Sequence, residues 1–161
     1  METVTKKNIS KYIRLSKLRI VELLLITKVP SMIVSIYGFP PLELILFTLL
    51  GGTLLAVSAN VLNQIFEIET DRLMDRTANR PLVTGEINKK SAYVYSTSLG
   101  LVGFLVLYTQ TTELAALIAL SANIFYSFIY TLVLKPRTNQ NIVIGGAAGA
   151  APVLILSLIH I

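Results

Sequence analysis

The stretch LELILFTLLGGTLLAVSANVLNQIF (42–66) contains a single charged residue, Glu43, near its start. It is followed directly by EIETDRLMDRTANRP (67–81), the most densely charged part of the sequence. A bilayer core about 30 Å thick is crossed by roughly 20 apolar residues in an α-helix. The two segments therefore predict a transmembrane helix that ends in a dense cluster of carboxylate and guanidinium groups.

The whole chain is too apolar for a water-soluble protein. Of its 161 residues 53% are hydrophobic and only 14% are charged, and the mean hydropathy is +0.68. Soluble domains usually carry about a quarter charged residues. The chain has no cysteine, which excludes disulfides and thiolate metal sites. These properties predict an integral membrane protein.

Five segments are long and apolar enough, or nearly so, to cross a bilayer. Lipid offers no partner to unpaired backbone amides, and no segment alternates as barrel strands do, so helices are expected. The predicted fold is all-α, a multi-pass bundle of transmembrane helices. The predicted spans are Ile20–Phe39, Leu42–Phe66, Ala92–Tyr108, Leu114–Leu134 and residues 142–161.

The basic residues predict an orientation. Six lie in residues 1–19, five in residues 72–90 and two in residues 135–137. Alternation of five spans places all three groups on one side, which the positive-inside rule makes cytoplasmic. We therefore expect a basic cytoplasmic segment over residues 1–19 and a transmembrane domain over residues 20–161, in the cell membrane. Because topology explains the net charge of +5, the lipid bilayer is an expected partner and nucleic acid is not.

One basic residue does not follow this pattern. Lys28 lies within the first predicted span. A lysine there is expected to reach toward the interface or to pair inside the bundle, although its position would also let it extend toward a diphosphate.

Two interleaved series of polar residues emerge at the end of the second span. Positions four apart lie one above the other on an α-helix, and a position three earlier shares nearly the same face. The helix is predicted to continue as far as Pro81, which stops it. The first series is Asn63, Glu67, Asp71 and Asp75, with Asn60 just before it, and the second is Arg72, Arg76 and Arg80.

Each series suits one half of a metal–diphosphate complex. Mg²⁺ takes one or two carboxylates and fills its shell with phosphate oxygens and water, and arginines bind phosphate oxygens bidentately. The residues predict a site for a diphosphate ester whose tail lies in the bilayer. The alternative is an ordinary solvated helix end with local ion pairs. Asn60 and Asn63 favour the site, because polar side chains within a membrane span are costly.

Three separate motifs resemble one known family, and they occur along the chain in the order expected for it. NQIFEIETD (63–71) resembles the first Asp-rich motif of the intramembrane aromatic prenyltransferase superfamily, with Glu67 in place of the first aspartate. Together with it, DRLMDRTANRPL (71–82) resembles the protoheme IX farnesyltransferase branch. KLRIVELLLIT (17–27) is similar to the first helix of that branch, and YTLVLKPRTNQNIVIGGAAGAAP (130–152) to its fourth loop and fifth helix.

The resemblance implies a Mg²⁺-dependent transferase. It would join a farnesyl group from farnesyl diphosphate to a vinyl group of protoheme IX (heme B), giving heme O, with proteins of heme A synthesis as partners. Asn63, Glu67 and Asp71 would be catalytic and would hold the metal. From spacing, Asp75 is expected to support Arg72 or Arg76, and Asn60 to support the ligands. The basic residues implied as diphosphate contacts are Arg72, Arg76, Arg80, Lys135 and Arg137.

The sequence departs from the family in its extent. Members have about nine transmembrane helices and a second Asp-rich motif, whereas this chain has no acidic residue after Pro152. We therefore expect about five helices of the nine-helix prenyltransferase fold, inactive alone. The last residues, LSLIHI (156–161), match the translation of a common sequencing adapter, so they and the only histidine, His160, are expected to be incidental.

Two other functions stay open on the residues alone. Another prenyltransferase of the superfamily, acting on a quinone or lipid precursor, would share the site. A membrane transport or assembly subunit would instead use the charged series as a cation path or docking surface. Mg²⁺-dependent affinity for diphosphates separates the enzymes from such a subunit.

Overall fold

A computed structural model describes residues 10–17, 22, 26, 28–34, 38–137 and 143, and this part of the chain contains no β-strand. Residues 10–16 and 28–34 are helical. The predicted all-α fold is confirmed. The remaining elements, in chain order, are α1 (Leu42–Phe66), α2 (Ile68–Arg72), α3 (Lys89–Gln110), α4 (Glu113–Ile124), a π-helix (Phe125–Leu134) and α5 (Lys135–Arg137).

Three helical stretches are long and apolar enough to cross a membrane. They are α1, α3 and the continuous stretch Glu113–Arg137 formed by α4, the π-helix and α5. They correspond to the second, third and fourth predicted spans. The first predicted span is described only in part, and the fifth lies outside the described residues except for residue 143.

The most extensive helix contact in the described part of the chain joins α1 to α3. A Cβ added to Gly103 would lie 2.9 Å from the backbone oxygen of Gly51 and 2.9 Å from Leu54 Cβ, so the two backbones approach only because this residue is glycine. Along the same contact, Ser96 Oγ donates to the carbonyl oxygen of Ser58 (2.9 Å). Small residues at helix contacts are the usual means of close packing in membranes.

Capping side chains mark where α3 and α4 begin. The Asn88 side chain accepts a hydrogen bond from the Lys90 amide (3.1 Å). Thr112 Oγ1 accepts one from the Ala115 amide (3.3 Å). Each satisfies an amide that has no partner within its own helix.

The prediction that the second span continues as one helix to Pro81 is wrong. α1 and α2 are separated by a break, and after α2 residues 73–88 form an irregular loop. Thr77 Oγ1 donates to the carbonyl oxygen of Asp71 (2.8 Å). In a longer helix this carbonyl oxygen would accept a hydrogen bond from a backbone amide of the next turn. Here it accepts one from the Thr77 hydroxyl, which stabilises the end of the helix.

Apolar burial draws this loop back over the end of the bundle. Leu82 and Ile87 are buried in one cluster with Leu15 and Ile65. Gly85 has φ of +74°, a backbone conformation that glycine adopts without a steric penalty. The loop therefore covers the end of α1 and does not extend away from it.

Candidate functional site

The return of the 73–88 loop brings Arg80 to Asp71. The Arg80 guanidinium donates to Asp71 Oδ2, forming an ion pair. The side chains are largely buried, with 6% of Asp71 and 21% of Arg80 exposed. Removal of either partner from such a pair leaves an uncompensated charge. Asp71 and Arg80 thus hold the end of α2 and the loop together.

A second ion pair joins Glu67 to the end of the fourth span. Lys135 Nζ donates to Glu67 Oε1. Glu67 lies at the break between α1 and α2, where its amide still bonds the Asn63 carbonyl oxygen (3.0 Å). Lys135 follows the π-helix directly. The pair links the ends of two membrane helices.

Asn63 contacts the π-helix through its side chain. Asn63 Nδ2 donates to Thr131 Oγ1 (3.2 Å), which in turn donates to the Tyr126 carbonyl oxygen (2.8 Å). This bond engages the amide nitrogen and leaves Oδ1 as the atom suited to a metal. π-Helical turns are rare and occur frequently at functional sites.

The N-terminal helical segment, residues 10–16, is fixed to α1 and to the loop. Gln64 Nε2 donates to the Leu15 carbonyl oxygen (2.6 Å), and the Leu15 side chain is fully buried. Arg14 Nη2 donates to the Asn79 carbonyl oxygen (2.9 Å). The end of this segment is thereby held beside the two ion pairs.

Lys17 follows that segment and is the site residue that sequence reasoning missed. Its φ of +48° is the left-handed conformation that commonly ends a helix. The pKa of Lys17 is lowered from 10.5 to about 8, mainly by burial and next by the charge of Arg80, while Asp71 and Glu67 act in the opposite direction. The ammonium therefore lies within the field of both ion pairs. In the sequence, Lys17 is marked only as the first residue of KLRIVELLLIT (17–27), just before the first predicted span.

Two aromatic rings lie beside the cluster. Tyr126 and Tyr130 are stacked, with ring centroids 5.3 Å apart and planes inclined by 14°. Tyr126 is near enough to Glu67 and Arg80 to interact with their charges. The π-helix thus presents an aromatic face next to the charged groups.

Four predicted site residues lie outside the cluster. Arg72 pairs with Glu69 (3.4 Å), and the predicted pairing of Asp75 with Arg72 or Arg76 is not formed in the described residues. Spacing could not show this, because the helix was assumed to continue. The four residues, all exposed, are Arg72, Asp75, Arg76 and Arg137.

The structure brings five of the predicted residues together and adds Lys17. Three cations face two carboxylates, so the cluster has surplus positive charge suited to an anion. Asn60 is buried before it on α1, and its carbonyl oxygen accepts a bond from Gln64 Nε2 (3.3 Å). The five are Asn63, Glu67, Asp71, Arg80 and Lys135.

The donor set fits Mg²⁺. An amide oxygen and two carboxylates one helical turn apart are hard oxygen ligands of the kind this ion takes. Over the residues that the structure describes, no group of three or more histidine, cysteine, aspartate or glutamate side chains is suited to a metal. Phosphate oxygens and water would therefore complete the coordination shell, as Mg²⁺ usually requires.

Comparison with known proteins identifies a matching family and close relatives. Residues 24–159 match the model of the UbiA prenyltransferase family. The chain is 51% identical over 144 residues to protoheme IX farnesyltransferase 1 of Saccharopolyspora erythraea, covering 89% of this chain and 46% of that protein. It is 48% identical over 149 residues to the protoheme IX farnesyltransferase of Leifsonia xyli subsp. xyli, covering 92% and 48%. The chain thus spans about half the length of these relatives.

A solved structure has the same fold. The UbiA homologue from Archaeoglobus fulgidus bound to GPP and Mg²⁺ superposes with a TM-score of 0.71 at 26% identity, over 92% of this chain and 53% of that one. The same homologue bound to DMAPP and Mg²⁺ gives the same score. These matches confirm the predicted fold class and the family resemblance inferred from the three motifs.

Proposed function

Because the chain belongs to the UbiA prenyltransferase family, we propose that it forms the donor-binding part of a protoheme IX farnesyltransferase. Such an enzyme transfers the farnesyl group of farnesyl diphosphate to a vinyl group of heme B and yields heme O. The observation that carries the proposal is the cluster at the end of α1, where carboxylates and cations lie beside an aromatic pair. The names of relatives at 51% and 48% identity supply the acceptor.

We infer that the reaction requires Mg²⁺. Asn63, Glu67 and Asp71 would hold the ion through an amide oxygen and two carboxylates. Bound there with the donor, it supplies Lewis-acid neutralisation of the charge on the leaving oxygens. The Archaeoglobus fulgidus homologue bound to GPP and Mg²⁺ supports this assignment.

The two ion pairs suggest how the carboxylates and cations of the cluster would rearrange when the donor binds. In the structure, Arg80 and Lys135 are bonded to Asp71 and Glu67. With diphosphate and metal bound, the two carboxylates would hold the ion, and the two cations would instead donate to phosphate oxygens. Lys17 adds a third positive charge. Each group keeps a charged partner in both states, so no buried charge is left uncompensated.

The cations then stabilise negative charge as the diphosphate departs. The C1–O bond of farnesyl diphosphate breaks, and its electron pair leaves on the diphosphate. The π electrons of a heme vinyl group form the new bond to C1, and water adds to the resulting carbocation with loss of a proton. Tyr126 and Tyr130 lie beside the cluster, where their π faces suit shielding of the allylic cation.

We place this site at the cytoplasmic face of the cell membrane, with the N-terminus cytoplasmic. Basic residues are concentrated in residues 1–19, 72–90 and 135–137, and the positive-inside rule assigns such segments to the cytoplasm. The donor headgroup then lies at the interface, and its farnesyl chain follows the apolar helices into the bilayer. Proteins of heme A synthesis are the proposed partners, because they consume heme O.

Equilibrium binding of an unreactive farnesyl diphosphate analogue tests the donor site, using the protein in lipid nanodiscs. We expect binding to require Mg²⁺. Asp71→Asn should weaken it about 100-fold, because a metal ligand loses its charge. Asp75→Asn, a matched exposed carboxylate, should leave the affinity within about twofold. Binding without Mg²⁺, or an equal loss in both variants, would contradict the proposal.

The acceptor is tested separately. Because this chain is expected to be inactive alone, heme B and farnesyl diphosphate are supplied together to a complete enzyme that contains it, and the product is identified by mass spectrometry. Heme O is the expected product. Farnesylation of a quinone or lipid precursor in its place would mean that the acceptor is wrong while the donor site stands.

A further inference from the structure

A lysine is buried inside the bundle at a distance from the charged cluster. Lys28 lies in the helical residues 28–34 and is only 7% exposed. Its ammonium lies against α1 at Gly52, where an added Cβ would overlap Lys28 Nζ. The absence of a side chain at Gly52 thus makes the space that this ammonium occupies.

Lys28 has no counter-ion in the described part of the chain. None of the ion pairs formed there includes it, and no charged group among the described residues acts on it. A buried ammonium in a membrane is costly unless it is paired, and such residues usually mark functional sites. The position therefore requires an anion from elsewhere.

A second polar group lies on the same face of α1. Met32 packs with Ile45 in one cluster, and Lys28 lies against Gly52, so the face of α1 between these two contacts faces the helical residues 28–34. Thr48 lies on that face, one turn before Gly52. Its hydroxyl is buried and has no hydrogen-bond partner in the described residues. Buried hydroxyls normally have a hydrogen-bond partner. The Thr48 hydroxyl is therefore free to donate a hydrogen bond to a ligand near Lys28.

We propose that Lys28, against Gly52, and Thr48, one turn before Gly52, together bind a carboxylate, and that this carboxylate is a propionate of the porphyrin acceptor. The proposal rests on the proposed function, which supplies a substrate with two carboxylates. An ammonium and a hydroxyl together match the two oxygens of one carboxylate group. The other source of a carboxylate is a protein side chain outside the described residues, and the experiment separates the two.

The distance along α1 agrees with this orientation. Gly52 precedes Asn63 by eleven residues, or about 16 Å at 1.5 Å per residue. Heme B has its propionates on the edge opposite its vinyl groups. With a propionate at Lys28, a vinyl group points toward the end of α1, where the diphosphate leaves C1 of the donor. Lys28 would thus set which edge of the acceptor meets the donor.

The test compares two porphyrins and follows their absorbance as they bind, in nanodiscs, to a complete enzyme that contains this chain. Heme B carries free propionates, and its dimethyl ester does not. We expect Lys28→Met to weaken heme B binding roughly 10- to 100-fold and to leave binding of the ester unchanged. Gly52→Ala keeps the lysine but fills the space that its ammonium occupies, and should give the same selective loss. Lys90→Met, at an exposed lysine, is the control and should change neither.

The remaining outcomes overturn the proposal in distinguishable ways. Unchanged heme B binding, or an equal loss for both porphyrins, would exclude a propionate at Lys28. A lower thermal stability in Lys28→Met without any difference between the porphyrins would assign the lysine to a protein carboxylate. If the wild-type protein binds neither porphyrin, the acceptor assignment itself fails, and the Lys28 proposal fails with it.

Discussion

α1 and the residues that directly follow it contact their neighbours in different ways. In the part that contains Gly51, α1 meets α3 backbone to backbone, because glycine allows it. Just beyond the end of α1, Glu67 and Asp71 contact their neighbours through ion pairs with the long side chains of Lys135 and Arg80. The glycine contact cannot be loosened without separating two helices. In the proposed mechanism the ion pairs exchange partners by side-chain rotation alone, so a rigid helix would carry a site whose charges are replaceable.

The largest expected effect comes from the glycine contact. Gly103→Leu would place side-chain atoms against the Gly51 carbonyl oxygen and Leu54, where a Cβ alone is already at 2.9 Å. Backbone atoms cannot give way as side chains do, so we expect a loss of roughly 3 kcal/mol of folding free energy. The loss should appear as a lower midpoint in thermal unfolding followed by circular dichroism.

A substitution on the exposed side of α3 provides the control. Val102, 49% exposed, is the neighbour of Gly103 in sequence, and Val102→Leu should leave the unfolding midpoint nearly unchanged. Equal effects of the two substitutions would mean that the close approach of α1 and α3 contributes little. The statement that the glycine contact holds α1 and α3 rigidly together would then be wrong.

The two ion pairs should contribute unequally to the folding free energy, and this difference should be smaller than the loss caused by Gly103→Leu. Arg80 is 21% exposed and its partner 6%, whereas Lys135 is 41% exposed. Arg80→Ala leaves Asp71 unpaired in a largely dry environment, so we expect a loss of about 2 kcal/mol of folding free energy. Lys135→Ala should cost at most about 1 kcal/mol, because solvent screens an exposed lysine.

Denaturant unfolding of both variants measures this difference. Arg76→Ala is the matched control, since Arg76 is exposed and bonds no other described residue. It should lie within about 0.5 kcal/mol of the wild type. A larger loss for Lys135→Ala than for Arg80→Ala would reverse the ranking that burial predicts.

The sequence predicted the helical class, the spans that the structure describes and the core of the site for identifiable reasons. Long apolar segments have one stable arrangement in lipid. The spacing of Asn63, Glu67 and Asp71 survives the break between α1 and α2, because Glu67 and Asp71 keep i→i−4 backbone bonds, to Asn63 (3.0 Å) and to Glu67 (2.7 Å). Periodicity therefore gave the right face of the helix over these residues.

Periodicity failed where a long-range contact replaced a local one. The same spacing separates Arg72, Arg76 and Arg80. Of these three arginines only Arg80 pairs with Asp71, because the loop folds back on itself after α2. That return depends on burial of Leu82 and Ile87, which spacing alone does not show. Lys17 was missed for the same reason, since only the packed bundle brings it to the site.

The smallest effect is a pH dependence of donor binding that we assign to Lys17. Its folded pKa of about 8 lies below the 10.5 of free lysine, and a bound diphosphate should raise it again. Proton uptake then accompanies binding, so affinity for the unreactive farnesyl diphosphate analogue should fall as pH rises above about 8. The fall is about tenfold for each unit by which binding raises this pKa. Folding stability should change in the opposite direction, because between pH 8 and 10.5 the unfolded chain binds the extra proton.

Two substitutions at the same position separate Lys17 from other groups that titrate. Lys17→Arg stays charged over this range, so its affinity should not fall between pH 7.5 and 9.5 as the wild type's does. Lys17→Met should bind more weakly at pH 7.5 and show no step near pH 8. If all three proteins lose affinity in parallel, the titrating group lies elsewhere and Lys17 makes no contact with the donor. A step confined to the wild type would show that the replaceable charges at the end of α1 include a cation supplied by the N-terminal segment.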